Sequence, residues 1–256
     1  MKRPLLIVLL VGLMSLAPLP ARAIDHDNID GGRPLRFDDA ESIGFRERAI
    51  EFGITPTWAR GSKFRTGLSA EYLNGFALNS FYSIDVDASN RGMGRTGLGI
   101  FHNFRRETLK SPGLAVRFDT YLPTGSDSES NRGVDFRVRG ILSRTLKGSE
   151  RMHVNLDGIF RTEPGTGNRS FLPAVTIGYT RPVGYPRRFD LTALAEASYH
   201  TDETTGRGSI VSLGVGLRQQ VTPRSVADVG LQSDVAASGG ATRTDLRLTA
   251  GYSTSF

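Results

Sequence analysis

From about residue 48 onward, apolar and polar side chains alternate in runs bounded by Gly, Pro, Asn, Asp or Ser. "RAIEFGITPTWA" (48–59) puts Ile50, Phe52, Ile54 and Trp58 on one face. "KFRTGLSAEYLN" (63–74) sets Phe64, Leu68, Ala70 and Tyr72 against Lys63, Arg65, Ser69 and Glu71. "GFALNSFYSIDV" (75–86) sets Phe76, Leu78, Tyr82, Ile84 and Val86 against Asn79, Ser83 and Asp85. The same period recurs in 113–122, 134–146, 151–160, 188–200 and 209–220, and "TRTDLRLTAGYSTSF" (242–256) closes the chain. A period of two is that of a strand, and no segment carries a sustained helical stripe. With the glycine-rich 95–105, the nearly two-sided 170–180 and the weaker 224–234, about twelve strands are predicted. The register of 95–105 and 224–234 stays open.

The connections predict how these strands are joined. Asn74-Gly75 is a two-residue hairpin signal, and 145–150 and 220–224 are tight. Stretches 123–133, 161–169, 201–208 and 235–241 are longer and polar. Short turns at the end holding both termini and longer loops at the other are the layout of an outer-membrane barrel, with short periplasmic turns and longer external loops.

The segments run close to the ~9–11 residues that cross a bilayer at a tilt, whereas soluble strands average ~5–6. The apolar face carries rings near segment ends: Trp58, Tyr72, Phe104, Phe118, Phe160, Tyr179, Phe189, Tyr199, Tyr252 and Phe256. Such rings form girdles at bilayer interfaces. The polar face carries opposite charges that neighbouring strands can pair across a lumen. The expected fold is therefore all-β: an antiparallel transmembrane β-barrel with apolar side chains outside. A soluble exported β-barrel or sandwich is the competing fold.

The N-terminus sets the compartment. Lys2 and Arg3, the apolar run 5–14 and the Ala21-x-Ala23 pattern read as a signal peptide, residues 1–23, cleaved after Ala23. Its removal takes Lys2, Arg3 and Arg22 and no acid, lowering the formal charge from +6 to +3. That modest, scattered charge gives no reason to expect nucleic-acid binding. There is no cysteine, hence no disulfide and no thiolate metal site. Residues 24–47 read as a periplasmic lead segment before a barrel of 48–256.

Several motifs invite chemistry and lack its context. "GMGRTG" (92–97) matches Gly-x-Gly-x-x-Gly, but no helix follows it, so it reads as a loop entering a glycine-rich strand. His102, His153 and His200 lack a nucleophile motif, and His26 lies in the lead. Asp127/Glu129 and Asp202/Glu203 are too few for a calcium loop and read as solvated. Asp38 and Asp39 precede the first strand: a segment folded into or against the barrel mouth is one reading, a helix cap or exposed linker the other. No enzyme, metal or cofactor is expected.

"RPLRFDDAESIGFRERAIEFG" (33–53), with Arg33-Pro34-Leu35, Asp38-Asp39-Ala40 and Glu51, resembles the start of outer-membrane proteins associated with phenol meta-cleavage pathways. "SPGLAVRFDTYLPTG" (111–125) and "VDFRVRGILSRTL" followed by "MHVNLDG" (152–158) resemble further blocks of that family. The resemblance implies a transporter-like barrel, and its label implies hydrophobic or aromatic compounds. The expected surface of function is the inner wall: Arg117, Asp119, Arg137, Arg139, His153, Asn155, Asp157, Asp190 and Glu196. Mixed charge there suits a narrow or partly plugged pathway for small molecules in the cell outer membrane. A structural barrel with a salt-bridged lumen and a soluble barrel binding an apolar ligand remain open. Tyr252 and the terminal Phe256 resemble the C-terminal aromatic signal of outer-membrane barrels, so outer-membrane lipid and the barrel-assembly machinery are the expected partners.

Overall fold

The computed structural model describes residues 33–59, 64–126, 132–187 and 190–256. The signal-peptide reading, residues 24–32, Lys63, Asp127/Glu129 and Phe189 lie outside the described residues. Twelve strands follow in order: β1 (Arg48–Ala59), β2 (Arg65–Ala77), β3 (Ser80–Ser89), β4 (Gly92–Arg105), β5 (Gly113–Leu122), β6 (Asp135–Thr145), β7 (Arg151–Arg161), β8 (Phe171–Pro182), β9 (Leu191–Thr201), β10 (Ser209–Thr222), β11 (Ser225–Ala237) and β12 (Thr244–Ser255). Each pairs antiparallel with its sequence neighbours, and β12 pairs with β1 through Ile50↔Thr254 and Phe52↔Tyr252. The sheet is a closed barrel with no free edge. Strands run from 10 residues in β3 to 14 in β4.

One parity of every strand points inward. Asp119 is 0% exposed while Ile100, on the outward parity of the adjacent strand, is 55% exposed. Glu51, His153, Asn155 and Ser212 are likewise buried, and Ile54, Leu68, Leu156 and Val215 are exposed. This polarity is the inverse of a water-soluble barrel. Rings gather near both ends of the outer face. Trp58 and Phe64 lie 5.0 Å apart and Phe160 and Phe171 4.8 Å apart at the loop end; Tyr72 and Tyr82 lie 6.4 Å apart near the termini.

Three local expectations are corrected. The hairpin turns at Leu78–Asn79, not at Asn74-Gly75; β2 runs through that pair to Ala77, and Asn79 takes φ 64. Gly75 is needed for space, because a Cβ there would collide with the Gly44 carbonyl. "GMGRTG" lies on β4 itself, directly after a two-residue turn at Asn90–Arg91. The alternation of loop lengths is also imperfect: that tight turn sits at the long-loop end, while 106–112 and 183–190 bridge strands at the end of the termini. The doubtful strands acquire registers, Gly99↔Asp119 for β4 and Asp228↔Gly251 for β11.

The lumen is not polar throughout. Ala40, Ile43, Leu73, Phe81, Phe101 and Ile141 form a buried apolar cluster inside the terminal end. Phe81 and Phe101 stack with centroids 4.8 Å apart.

Candidate functional site

The apolar cluster exists because the segment before β1 lies inside the barrel. Leu35, Phe37, Asp38, Asp39 and Ala40 are each at most 2% exposed, which overturns the linker and helix-cap readings of Asp38 and Asp39. The segment follows the wall as a hoop. The amide N–H of Arg46 donates to the Gly75 carbonyl of β2 (2.6 Å). Asn103 of β4 donates to the Ala40 carbonyl, and the Ala40 N–H donates to Ser143 Oγ of β6 (2.9 Å). On β7, Asn155 accepts the Asp38 N–H (2.6 Å) and donates to the Asp38 carbonyl (2.9 Å), as a paired strand would. Phe37 stacks on His153 at 5.2 Å and covers Gly178 of β8. The Arg36 N–H donates to Glu196 of β9 (2.6 Å). Pro34 packs on Gly230 of β11. Arg33 closes the circuit by pairing with Glu51 of β1 (2.5 Å) and donating to Ser253 of β12 (3.1 Å).

Ion pairs fix the hoop and brace the wall. Arg139 bridges the two, bonding Asp38 at 2.7 Å and Asp157 at 2.7 Å. Arg151 holds Glu41 (2.6 Å) and Asp39 (3.5 Å). Along the wall, Arg137, Asp119, Arg117 and Glu71 form a chain with contacts of 2.8, 2.8 and 2.7 Å. Burial alone would raise the Asp38 carboxyl, but Arg139, with Arg117 and Arg137 behind it, holds it below the usual carboxylate range.

The residues expected on the inner wall fall into three groups. Arg117, Asp119, Arg137, Arg139 and Asp157 build the ion-pair network. His153, Asn155 and Glu196 seat the hoop. Asp190 is not part of the wall. It sits in the turn ahead of β9, where its carboxylate accepts Gln219 Nε2 (2.8 Å) at the barrel rim.

The histidines separate as well. His102 is exposed on the outer face beside Ser80 (2.8 Å). His153 Nδ1 lies 2.9 Å from Ser143 Oγ, but both side chains are 0% exposed, Phe37 covers the ring, and the hydroxyl already accepts the Ala40 N–H. That leaves no room for a substrate. Asp202 takes the N–H groups of Thr204 (2.8 Å) and Thr242 (2.9 Å), so it ties two loops together. Glu203 pairs with Arg161 at 3.0 Å.

Cavities lie on either side of the hoop. The one at the loop end has a volume of about 700 Å³ and is lined by Arg36 of the hoop, Arg247 of β12, Leu172 of β8 and the loop residues Asp202 and Arg207. The one at the terminal end, about 290 Å³, is lined by Ala40, Glu41, Asn103 and Arg151. The hoop thus narrows the lumen between them. Inward periodicity identifies the wall of this site, Arg151 of β7 and Arg247 of β12 included, but not Arg36 or Asp38, which precede the first strand. The signal that could have found the hoop is the run of glycines on the inner parity, at Gly178, Gly214 and Gly230.

No known family profile matches the sequence, and no curated protein matches it. Solved structures do. The chain is similar to an outer membrane channel from Pseudomonas putida F1, with a TM-score of 0.64 and 12% identity over 85% of this chain and 98% of that one. It is similar to the NanC porin (TM-score 0.60, 9% identity, 79% and 98% covered) and to the KdgM porin (TM-score 0.55, 13% identity, 81% and 99% covered). At these identities the likeness is one of fold: a twelve-stranded barrel of the kind found in outer-membrane channels and porins.

Proposed function

We propose that this chain is an outer-membrane channel for small molecules, with the hoop of residues 33–43 as its constriction. The observation that carries this reading is the inverted barrel with a cavity of about 700 Å³ opening at its loop end above the hoop. An apolar outer face this extensive is stable in lipid and not in water. Export by cleavage after Ala23, and insertion guided by Tyr252 and Phe256, belong to the same proposal. So does membership of the family associated with phenol meta-cleavage pathways, supported by the 33–53 motif that builds the hoop. Passage of hydrophobic or aromatic compounds is its finer form, supported by Leu172 and Ile210 on the cavity wall.

The test uses mature protein folded into detergent and planar bilayers. Recovery in the outer-membrane fraction, heat-modifiable gel mobility and discrete conductance steps are expected. A protein freely soluble without detergent would remove the membrane reading. The second reading, a structural barrel, is favoured by the Arg137–Asp119–Arg117–Glu71 chain across the wall. It would replace the channel if neither the wild type nor a hoop-deleted variant conducted.

A further inference from the structure

The loop-end cavity holds positive charge that its own acids do not neutralise. Arg95, Arg137 and Arg139 on its lining are paired with Asp135 (3.5 Å), Asp119 (2.8 Å) and Asp157 (2.7 Å). Among the described residues, the guanidinium groups of Arg36 and Arg247 have no carboxylate partner. The lining acids Asp157, Asp202 and Glu203 are already engaged by Arg139, by backbone N–H groups and by Arg161.

Arg247 is the sharper case. It stands on β12 opposite Gln232 of β11, makes no hydrogen bond or ion pair among the described residues, and its Nε is buried without a partner. The acids that act on it from β11 and β9 are occupied. Asp234 accepts from Ser212 Oγ (2.6 Å) and the Thr244 N–H (2.6 Å); Glu196 accepts from Gln232 (2.7 Å) and the Arg36 N–H (2.6 Å). A half-buried guanidinium whose Nε is shut from solvent without a partner is unfavourable unless an anion meets it.

Arg36 is held beside the same space. Its Nη1 donates to Ser198 Oγ (3.1 Å) and Ser212 Oγ (3.2 Å) and lies 3.4 Å from His200 Nδ1. Guanidinium forks match the planar carboxylate better than any other anion receptor in a protein. Leu172 and Ile210 supply an apolar wall in the same cavity, whose volume suits a small ligand.

We propose that Arg36 and Arg247 form a binding site for a small organic carboxylate with an apolar body. This names a solute class for the channel and rests on that reading for its role. The experiment is calorimetric titration of the detergent-folded mature barrel with benzoate, acetate and benzyl alcohol. Benzoate binds, acetate binds more weakly and benzyl alcohol does not. Arg247→Gln and Arg36→Gln each weaken benzoate by about tenfold or more, while both keep heat-modifiable mobility. Arg106→Gln, in the other cavity, leaves binding unchanged.

The site is overturned if benzoate gives no saturable heat, if benzyl alcohol binds equally, or if both folded variants bind like the wild type. Acetate binding as tightly as benzoate would remove the apolar wall from the site. Conductance of the same preparation reads the channel separately. A conducting barrel that ignores benzoate removes the site alone, and a silent barrel that binds it removes the channel alone.

Discussion

Gly178 shows how a single missing side chain organises the interior. A Cβ there would overlap the Phe37 ring. Gly178→Leu therefore displaces Phe37 from His153, and single-channel recordings should show a larger conductance with the barrel still heat-modifiable. Asp38 gives the corresponding electrostatic prediction. Arg139 and Arg137 of β6 and Arg117 of β5 face its carboxyl, and His153 and Asp157 of β7 stand alongside. Its pKa is lowered in the seated hoop, so its contribution is present above the ordinary carboxylate value. That contribution is lost as pH falls through the depressed one. Conductance should stay low at neutral pH and rise in acid. Asp38→Asn should show the open level at neutral pH, since it removes the ion pair that ties the hoop to Arg139 and leaves Arg139 to Asp157 of the wall alone; an unchanged level at both pH values would refute the electrostatic latch.

The strands were legible because each side of the barrel demands one kind of residue, and alternation records that demand directly. In β5, Leu114, Val116 and Phe118 against Arg117, Asp119 and Tyr121 suffice to assign both faces. What was not legible depends on contacts distant in sequence. Asn74-Gly75 has turn chemistry, yet its glycine serves the close approach of Gly44. Asp190 has the right parity, but β9 begins only at Leu191. Nothing local in "RPLRFDDA" states that its partners are Glu196, Asn155 and Arg139; the segment is too short to have a period of its own and borrows its conformation from the wall. The hoop should accordingly be separable from the barrel. Deleting residues 33–44 is expected to preserve β-sheet circular dichroism and heat-modifiable mobility while raising conductance severalfold, as the constriction is lost.

For the whole molecule, closure is the central event. β12 is the last of the twelve strands and the partner of the first, and the Phe256 N–H donates to the Arg48 carbonyl at 2.9 Å. Deleting Phe256 should lower the yield of folded barrel in the membrane fraction several times over while leaving the conductance of the surviving molecules unchanged. A normal yield would dissociate the terminal ring from assembly. Closure also dictates an order of events. Arg33, the first described residue of the hoop, binds both Glu51 and Ser253, side chains far apart in the sequence, and the middle of the hoop binds Asn155 and Glu196. No partly built sheet offers all these partners together, because bringing residues 33 and 253 side by side requires the last strand to have joined the first. A segment that precedes every strand in the sequence is thus the last to find its place. During assembly it should remain cleavable by added protease until the seam between β1 and β12 forms, after which its protection times the completion of the barrel.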